Sequence, residues 1–147
     1  YDSTVLYGLE AGKYRLALKT PKDQIINVEY TRDKSKKKAA YKKSKAIHLK
    51  SDIDSIYTST EKAARWYKVS VSSTKKRKAV TLSKDSVGGG FKFCVYQKGK
   101  RLKTVKVTKN DKVKTVKLPK KKGAYYVKVT KLTSKTTGAY YLGTYTY

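Results

Sequence analysis

The chain has no methionine, one cysteine, one histidine and two prolines in 147 residues. A zinc site needs about four Cys or His ligands, so Cys94 and His48 cannot build one within the chain, and no internal disulfide can form. Cys94 lies in Phe-Lys-Phe-Cys-Val-Tyr, a strand interior, so its thiol is expected to be sheltered rather than nucleophilic. His48 alternates with Ile47 and Leu49 and so points away from their apolar side. No Gly-x-Ser-x-Gly elbow accompanies it, and a hydrolytic triad has no support. Gly88-Gly89-Gly90 lacks the Lys-Ser or Lys-Thr of a phosphate loop and reads as a turn or bulge. No apolar run approaches the roughly 18 residues of a membrane helix, and no signal-type apolar region opens the chain. With Tyr1 first and no methionine, the chain is expected to be part of a longer or processed product, any export signal or anchor lying outside it.

Acid is scarce as well. Ten Asp and Glu stand against 37 Lys and Arg, a formal charge of +27, which makes a polyanion a candidate partner. Only Arg15, Arg32, Arg65, Arg77 and Arg101 are arginines, so 32 of these cations are lysines. Lysine is a hydrated point charge without arginine's two-pronged fork, which favours diffuse attraction over base-specific reading. The basic runs are Lys36 to Lys38, Lys75-Lys76-Arg77-Lys78 and Lys120-Lys121-Lys122. Asp52, Asp54 and Glu61 form the densest acidic cluster. They are weak candidates for a cation site, since calcium takes 6–8 oxygens, and otherwise read as turn acids; no cofactor is expected.

What the chain does have is alternation. Short apolar and aromatic runs recur between Gly, Asp, Asn, Ser and Lys clusters, and no helical period persists, so the fold is expected to be all-β. Strands are predicted near 4–9, 13–20, 25–31, 45–50, 53–59, 65–72, 77–83, 91–97, 101–108, 112–118, 124–131 and 139–146. Tyr67, Val69 and Val71 share one side against Trp66, Lys68 and Ser70 on the other, the pattern of a half-buried strand. Leu102 to Val107 and Val113 to Leu118 nearly repeat around Lys109-Asn110-Asp111 and predict a hairpin. Leu102 and Val105 are three apart, so either a bulge intervenes or Thr104 and Thr115 face inward.

A longer repeat suggests the organisation. Residues 4–20 align without a gap to residues 115–131, with Thr4, Val5, Gly12 and Tyr14 on Thr115, Val116, Gly123 and Tyr125. Residues 1–31 are therefore expected to be the last three strands of a preceding β-sandwich repeat, 32–45 a basic linker, and 46–147 a complete module.

These residues resemble a known family. Ile47 and Leu49, Ile56, the Arg65-to-Val71 segment, Val95-Tyr96 before a Lys-Gly-Lys turn, Gly123-Ala-Tyr-Tyr-Val-Lys-Val129 and Gly138-Ala-Tyr-Tyr-Leu142 resemble, in that order, the bacterial pre-peptidase C-terminal module. The resemblance covers about 46–147 and implies a jelly-roll-like antiparallel β-sandwich of the kind appended to secreted proteases and surface proteins. Arg65 stands where that family commonly carries Asp.

The aromatic inventory, 14 Tyr, two Phe and one Trp, supplies the remaining signal. Tyr67 and Tyr125 are in phase with the core; Trp66, Tyr126 and one of each pair Tyr140/Tyr141 and Tyr145/Tyr147 are out of phase. Exposed aromatics beside lysine combine flat stacking surface with charge. The candidate ligand-binding residues are accordingly Trp66, Tyr126, Lys128 and Tyr141, with Lys75, Lys76, Arg77, Lys78, Lys120, Lys121 and Lys122. Together with the resemblance they suggest a non-catalytic adhesion module on a secreted or cell-surface, Gram-positive-type protein. Its partner would be a polyanionic glycan, a wall polymer or host matrix, with self-association through 1–31. The alternatives are a passive stalk repeat and non-specific nucleic-acid binding.

Overall fold

The computed structural model describes residues 8–29, 39–50, 53–57, 61–108, 110–111 and 113–147. Alternation does become strand: the described residues form nine, β1 (Ile47–His48), β2 (Ile53–Tyr57), β3 (Arg65–Val71), β4 (Lys78–Gly88), β5 (Phe91–Gln97), β6 (Lys100–Val107), β7 (Val113–Lys117), β8 (Gly123–Lys131) and β9 (Thr137–Thr146). They form a five-stranded sheet, β1-β3-β8-β5-β6, and a four-stranded sheet, β2-β9-β4-β7. All pairings are antiparallel except β1 with β3, so the first sheet is mixed at one edge.

The two inner faces close on one core. Tyr67, Val69, Phe91, Phe93, Val95, Tyr125, Val127 and Val129 come from the larger sheet, and Val80, Leu82, Val116, Tyr140 and Leu142 from the smaller. Facing sheets lie about 10 Å apart, so side chains of this size interdigitate without a third layer. The β4–β5 turn is tight. A Cβ on Gly90 would stand 1.9 Å from the Val107 carbonyl oxygen, so only glycine fits there. The glycine run thus serves as turn and bulge, as expected, with the β4–β9 register shifting between Asp85 and Gly88.

Several expectations need correction. The predicted hairpin does not form: β6 pairs with β5 and β7 with β4, so the chain changes sheets between them. The turn chemistry is nevertheless present, since the Asp111 carboxylate accepts from the Thr108 amide (3.0 Å) and hydroxyl (2.8 Å). The arms separate because each has its own apolar residues to bury, Val105 and Val107 from one side of the core and Val116 and Leu118 from the other. The parity break is a bulge. Val95 pairs with Lys103 and Tyr96 with Arg101, leaving Leu102 as the extra, exposed residue. β4 also runs five residues beyond its predicted end, to Gly88.

The N-terminal expectation fares differently. Residues 8–29 contain no strand, so the predicted strands at 13–20 and 25–29 are absent there; 1–7, 30 and 31 lie outside the described residues. Leu9, Leu16, Leu18, Ile25 and Val28 are exposed. Both inner faces of the sandwich are already closed on each other, which leaves these side chains no sheet to cover. The segment is tied at Gly8, whose amide donates to Thr137 Oγ1 (3.0 Å) while that hydroxyl donates to the Gly8 carbonyl (2.7 Å).

The expected linker also divides. Residues 32–38, with Lys36 to Lys38, lie outside the described residues, but 39–45 pack on the sandwich. Ala40 is buried and its carbonyl accepts from the Trp66 amide at 2.8 Å, ahead of a 3-10 turn at Lys43–Lys45. The described part of the expected linker is thus packed against β3 rather than free in solvent.

Candidate functional site

The outer face of the five-stranded sheet follows from the inner one. With Tyr67, Val69, Tyr125, Val127, Phe93 and Val95 inside, the intervening residues must face out. Register places them in rows across the sheet. Trp66 lies opposite Lys128, and Lys128 opposite Cys94. In the adjacent row Lys68 lies opposite Tyr126, Tyr126 opposite Tyr96, and Tyr96 opposite Arg101. His48 pairs with Lys68 at the edge and is exposed, as its alternation predicted.

Three aromatic residues share this face, and two of their rings meet. Trp66 and Tyr96 have ring centroids 5.7 Å apart at an interplanar angle of 44°, reaching toward each other across β8, which also carries Tyr126. The Lys128 ammonium lies 5.5 Å from the Trp66 ring centroid and the Lys43 ammonium 4.7 Å from that of Tyr126. Each cation rests on the electron-rich ring face. All three rings are half-buried, with a surface still open to solvent. β1, β3, β8, β5 and β6 contain no Asp or Glu, so the face is cationic without internal compensation.

Beneath the rings, Cys94 is buried and within hydrogen-bond reach of Thr104 Oγ1 at 3.4 Å, the sheltered thiol that was expected. Burial, reinforced by Cys94, raises the Tyr96 phenol above its usual range, so Tyr96 is a neutral stacking and hydrogen-bonding group at physiological pH.

Of the candidates, Trp66, Tyr126 and Lys128 share this face, while the others lie elsewhere. Tyr141 is 44% exposed on the outer face of the opposite sheet, toward the same side as Tyr145. Lys75, Lys76, Arg77 and Lys78 follow β3, and Lys120, Lys121 and Lys122 precede β8. Two of these cations are structural. Arg77 Nε donates to the Leu118 carbonyl (3.2 Å) and Lys78 Nζ to the Ser70 carbonyl (2.7 Å).

The acidic candidates disperse too. Both Glu61 oxygens are held by Arg65, from Nε (3.0 Å) and the terminal nitrogen (2.7 Å), which removes Glu61 from any cation site. Asp54 is in β2, paired with Tyr141, and Asp52 lies outside the described residues. No cluster of three metal-ligating side chains exists among the described residues.

Tyr96 and Lys43 were missed as site residues. The signal for Tyr96 was present: Phe91, Phe93 and Val95 inside put Tyr96 outside with Lys92 and Cys94. Lys43 gave none, because only the packing of 39–45 carries it to Tyr126.

No family model matches the sequence, and no curated protein matches it either. Among solved structures the chain is similar to the pre-peptidase C-terminal domain of a collagenase from Bacillus anthracis. The TM-score is 0.51 and the identity 17%, over 68% of this chain and 92% of that one. The fold is therefore that of a pre-peptidase C-terminal-like β-sandwich.

Proposed function

We propose that the chain is a non-catalytic attachment module of a secreted or cell-surface protein of Gram-positive type, holding an anionic glycan or wall polymer on the outer face of its five-stranded sheet. The observation that carries this reading is the pairing of Trp66 with Tyr96 and Lys128, and of Tyr126 with Lys43, on one face whose strands carry no acid. Aromatic faces offer flat apolar area to a sugar ring, and ammonium groups beside them neutralise its acidic substituents. The likeness to a domain of a collagenase supports an extracellular setting. No helix among the described residues is long and apolar enough to cross a membrane. The repeat between 4–20 and 115–131 supports a tandem array in the parent protein, and the exposed apolar residues of 8–29 would let copies associate.

The test is a panel of wall polymers, heparin, mucin, collagen and DNA at two salt concentrations, with the wild type and Trp66→Ala/Tyr126→Ala. Preferential binding to one glycan class, weakened at least about tenfold by the double substitution, supports the reading. Uniform weak binding, unaffected by it, supports a passive spacer.

A further inference from the structure

A second feature of the molecule is independent of the aromatic face. β3 ends at Val71 opposite Gly123, the start of β8, while β5 ends at Gln97 opposite Tyr125. β7 ends at Lys117 opposite Ala79, and β4 begins at Lys78 opposite Thr146 of β9. Both sheets therefore send the loops 72–77, 98–99 and 118–122 to the same end of the sandwich. Those loops carry Lys75, Lys76, Arg77, Lys98, Lys120, Lys121 and Lys122, and the adjoining strand ends add Lys78, Lys100, Arg101 and Lys117.

From residue 61 onward no acid lies at this end. From residue 61 onward the sequence holds three acidic residues, Glu61, Asp85 and Asp111, and all belong to the opposite end. Glu61 is bound to Arg65 at the start of β3, Asp111 turns the β6–β7 corner and pairs with Lys114, and Asp85 pairs in register with Ala139 near the start of β9. The sandwich is thus polarised along its strands.

The basic end is also held in shape. The Tyr125 hydroxyl donates to the Lys121 carbonyl (2.7 Å) and the Lys121 amide to the Pro119 carbonyl (2.8 Å). The Leu118 amide donates to the Lys78 carbonyl (2.8 Å), and the Arg77 amide to the Tyr147 carbonyl (3.0 Å). A cleft of about 280 Å³ opens there between Val71, Ser72, Lys75, Lys76, Lys78 and Thr146. Backbone ties fix the loops while Lys75, Lys76, Lys120, Lys121 and Lys122 remain exposed. Concentrating like charge disfavours the free state through self-repulsion, and a bound polyanion relieves it.

We propose that this basic pole is a second contact surface, seating the module end-on against a linear anionic glycan that carries repeated sulfate or phosphate groups. Ten of these eleven pole and strand-end cations outside Arg77 are one Arg101 and nine lysines, point charges suited to mobile, repeated anions rather than to two-pronged base contacts. The pole attracts the polymer by charge, and the polarity of the sandwich orients it.

The experiment compares the full chain with two five-site variants, binding heparin, inorganic polyphosphate and single-stranded DNA at 100 and 200 mM salt. One variant converts Lys75, Lys76, Lys120, Lys121 and Lys122 to Gln; the other removes the same charge at Lys13, Lys19, Lys22, Lys62 and Lys135. With about five lysines engaged at a slope near −0.7 each, doubling the salt weakens wild-type binding about tenfold. The pole variant loses at least about tenfold at the lower salt and most of its salt dependence, whereas the control variant and Trp66→Ala/Tyr126→Ala retain pole binding. A third variant with arginine at the five pole positions keeps both affinity and salt dependence. Heparin and polyphosphate distinguish sulfate from phosphate as the preferred group. Equal losses in the pole and control variants would overturn the proposal, as would single-stranded DNA binding about tenfold tighter than either heparin or polyphosphate. Loss of binding in the aromatic variant alone would overturn the pole while leaving the outer-face reading intact.

Discussion

Tyr67 of β3 and Tyr140 of β9 meet hydroxyl to hydroxyl in the middle of the core, joining the two sheets where each side chain is fully buried. A buried hydroxyl costs free energy unless it is hydrogen-bonded, so this pair fixes one sheet against the other. Tyr67→Phe or Tyr140→Phe alone is expected to destabilise the fold by about 1–2 kcal/mol. The double Phe variant should lose less than the sum of the two, the mark of direct coupling. Urea denaturation of the three variants measures this, and strict additivity would contradict it.

Arg65 is 5% exposed and its charge is met by both oxygens of Glu61. Removing one partner of a buried pair leaves the other charge in low dielectric. Glu61→Gln should therefore cost about 3 kcal/mol, more than the joint replacement of Glu61 by Gln and Arg65 by Met. Thermal melts decide it; equal losses would show that the pair is screened by water.

Gly8 ties residues 8–29 to Thr137, whereas 39–45 place Ala40 against the start of β3. Deleting 1–38 should change stability by no more than about 1 kcal/mol and remove any concentration dependence of sedimentation. Extending the deletion through Lys45 should cost a further ~1–2 kcal/mol, because it strips the Trp66 amide of its acceptor. Unfolding on the shorter deletion would mean that 1–38 belong to the same core.

Asp111 offers a pH test. Hydrogen bonds from the Thr108 hydroxyl and amide, then Lys114, hold its carboxyl down to about 2 from an ordinary 3.8. A carboxyl lowered on folding stabilises the folded state above its unfolded value, and that contribution fades as pH falls through about 2. The Asp111 carboxyl resonance should titrate near pH 2, and Thr108→Ala should return it toward 3.8. A midpoint near 3.8 in the wild type would mean that the corner is open in solution.

Most of the sandwich was legible because alternation is a local signal. Tyr67, Val69 and Val71 declare their face within seven residues, and all nine observed strands lie at predicted places. Pairing was less legible. The near-identity of Leu102–Val107 and Val113–Leu118 suggested a hairpin, yet burial of Val107 and Leu118 from opposite sides sent the arms to different sheets. Strand propensity in 13–20 and 25–29 went unrealised for want of a face to cover, which no local pattern reveals. At the candidate site, parity exposed Trp66, Tyr126 and Lys128, but it could not show that Tyr141 belongs to the other sheet or that Arg77 is engaged by a carbonyl.

Trp66 is the chain's one tryptophan and lies within the proposed contact face, so its fluorescence reports directly on occupancy. Titrating the full chain with oligosaccharides of the anionic glycan selected in the panel should shift or quench Trp66 emission in a saturable way. Tyr126→Ala should weaken the midpoint about tenfold. Saturable binding by calorimetry with no change in Trp66 emission would contradict the account, because the ligand would then be held somewhere other than the aromatic face.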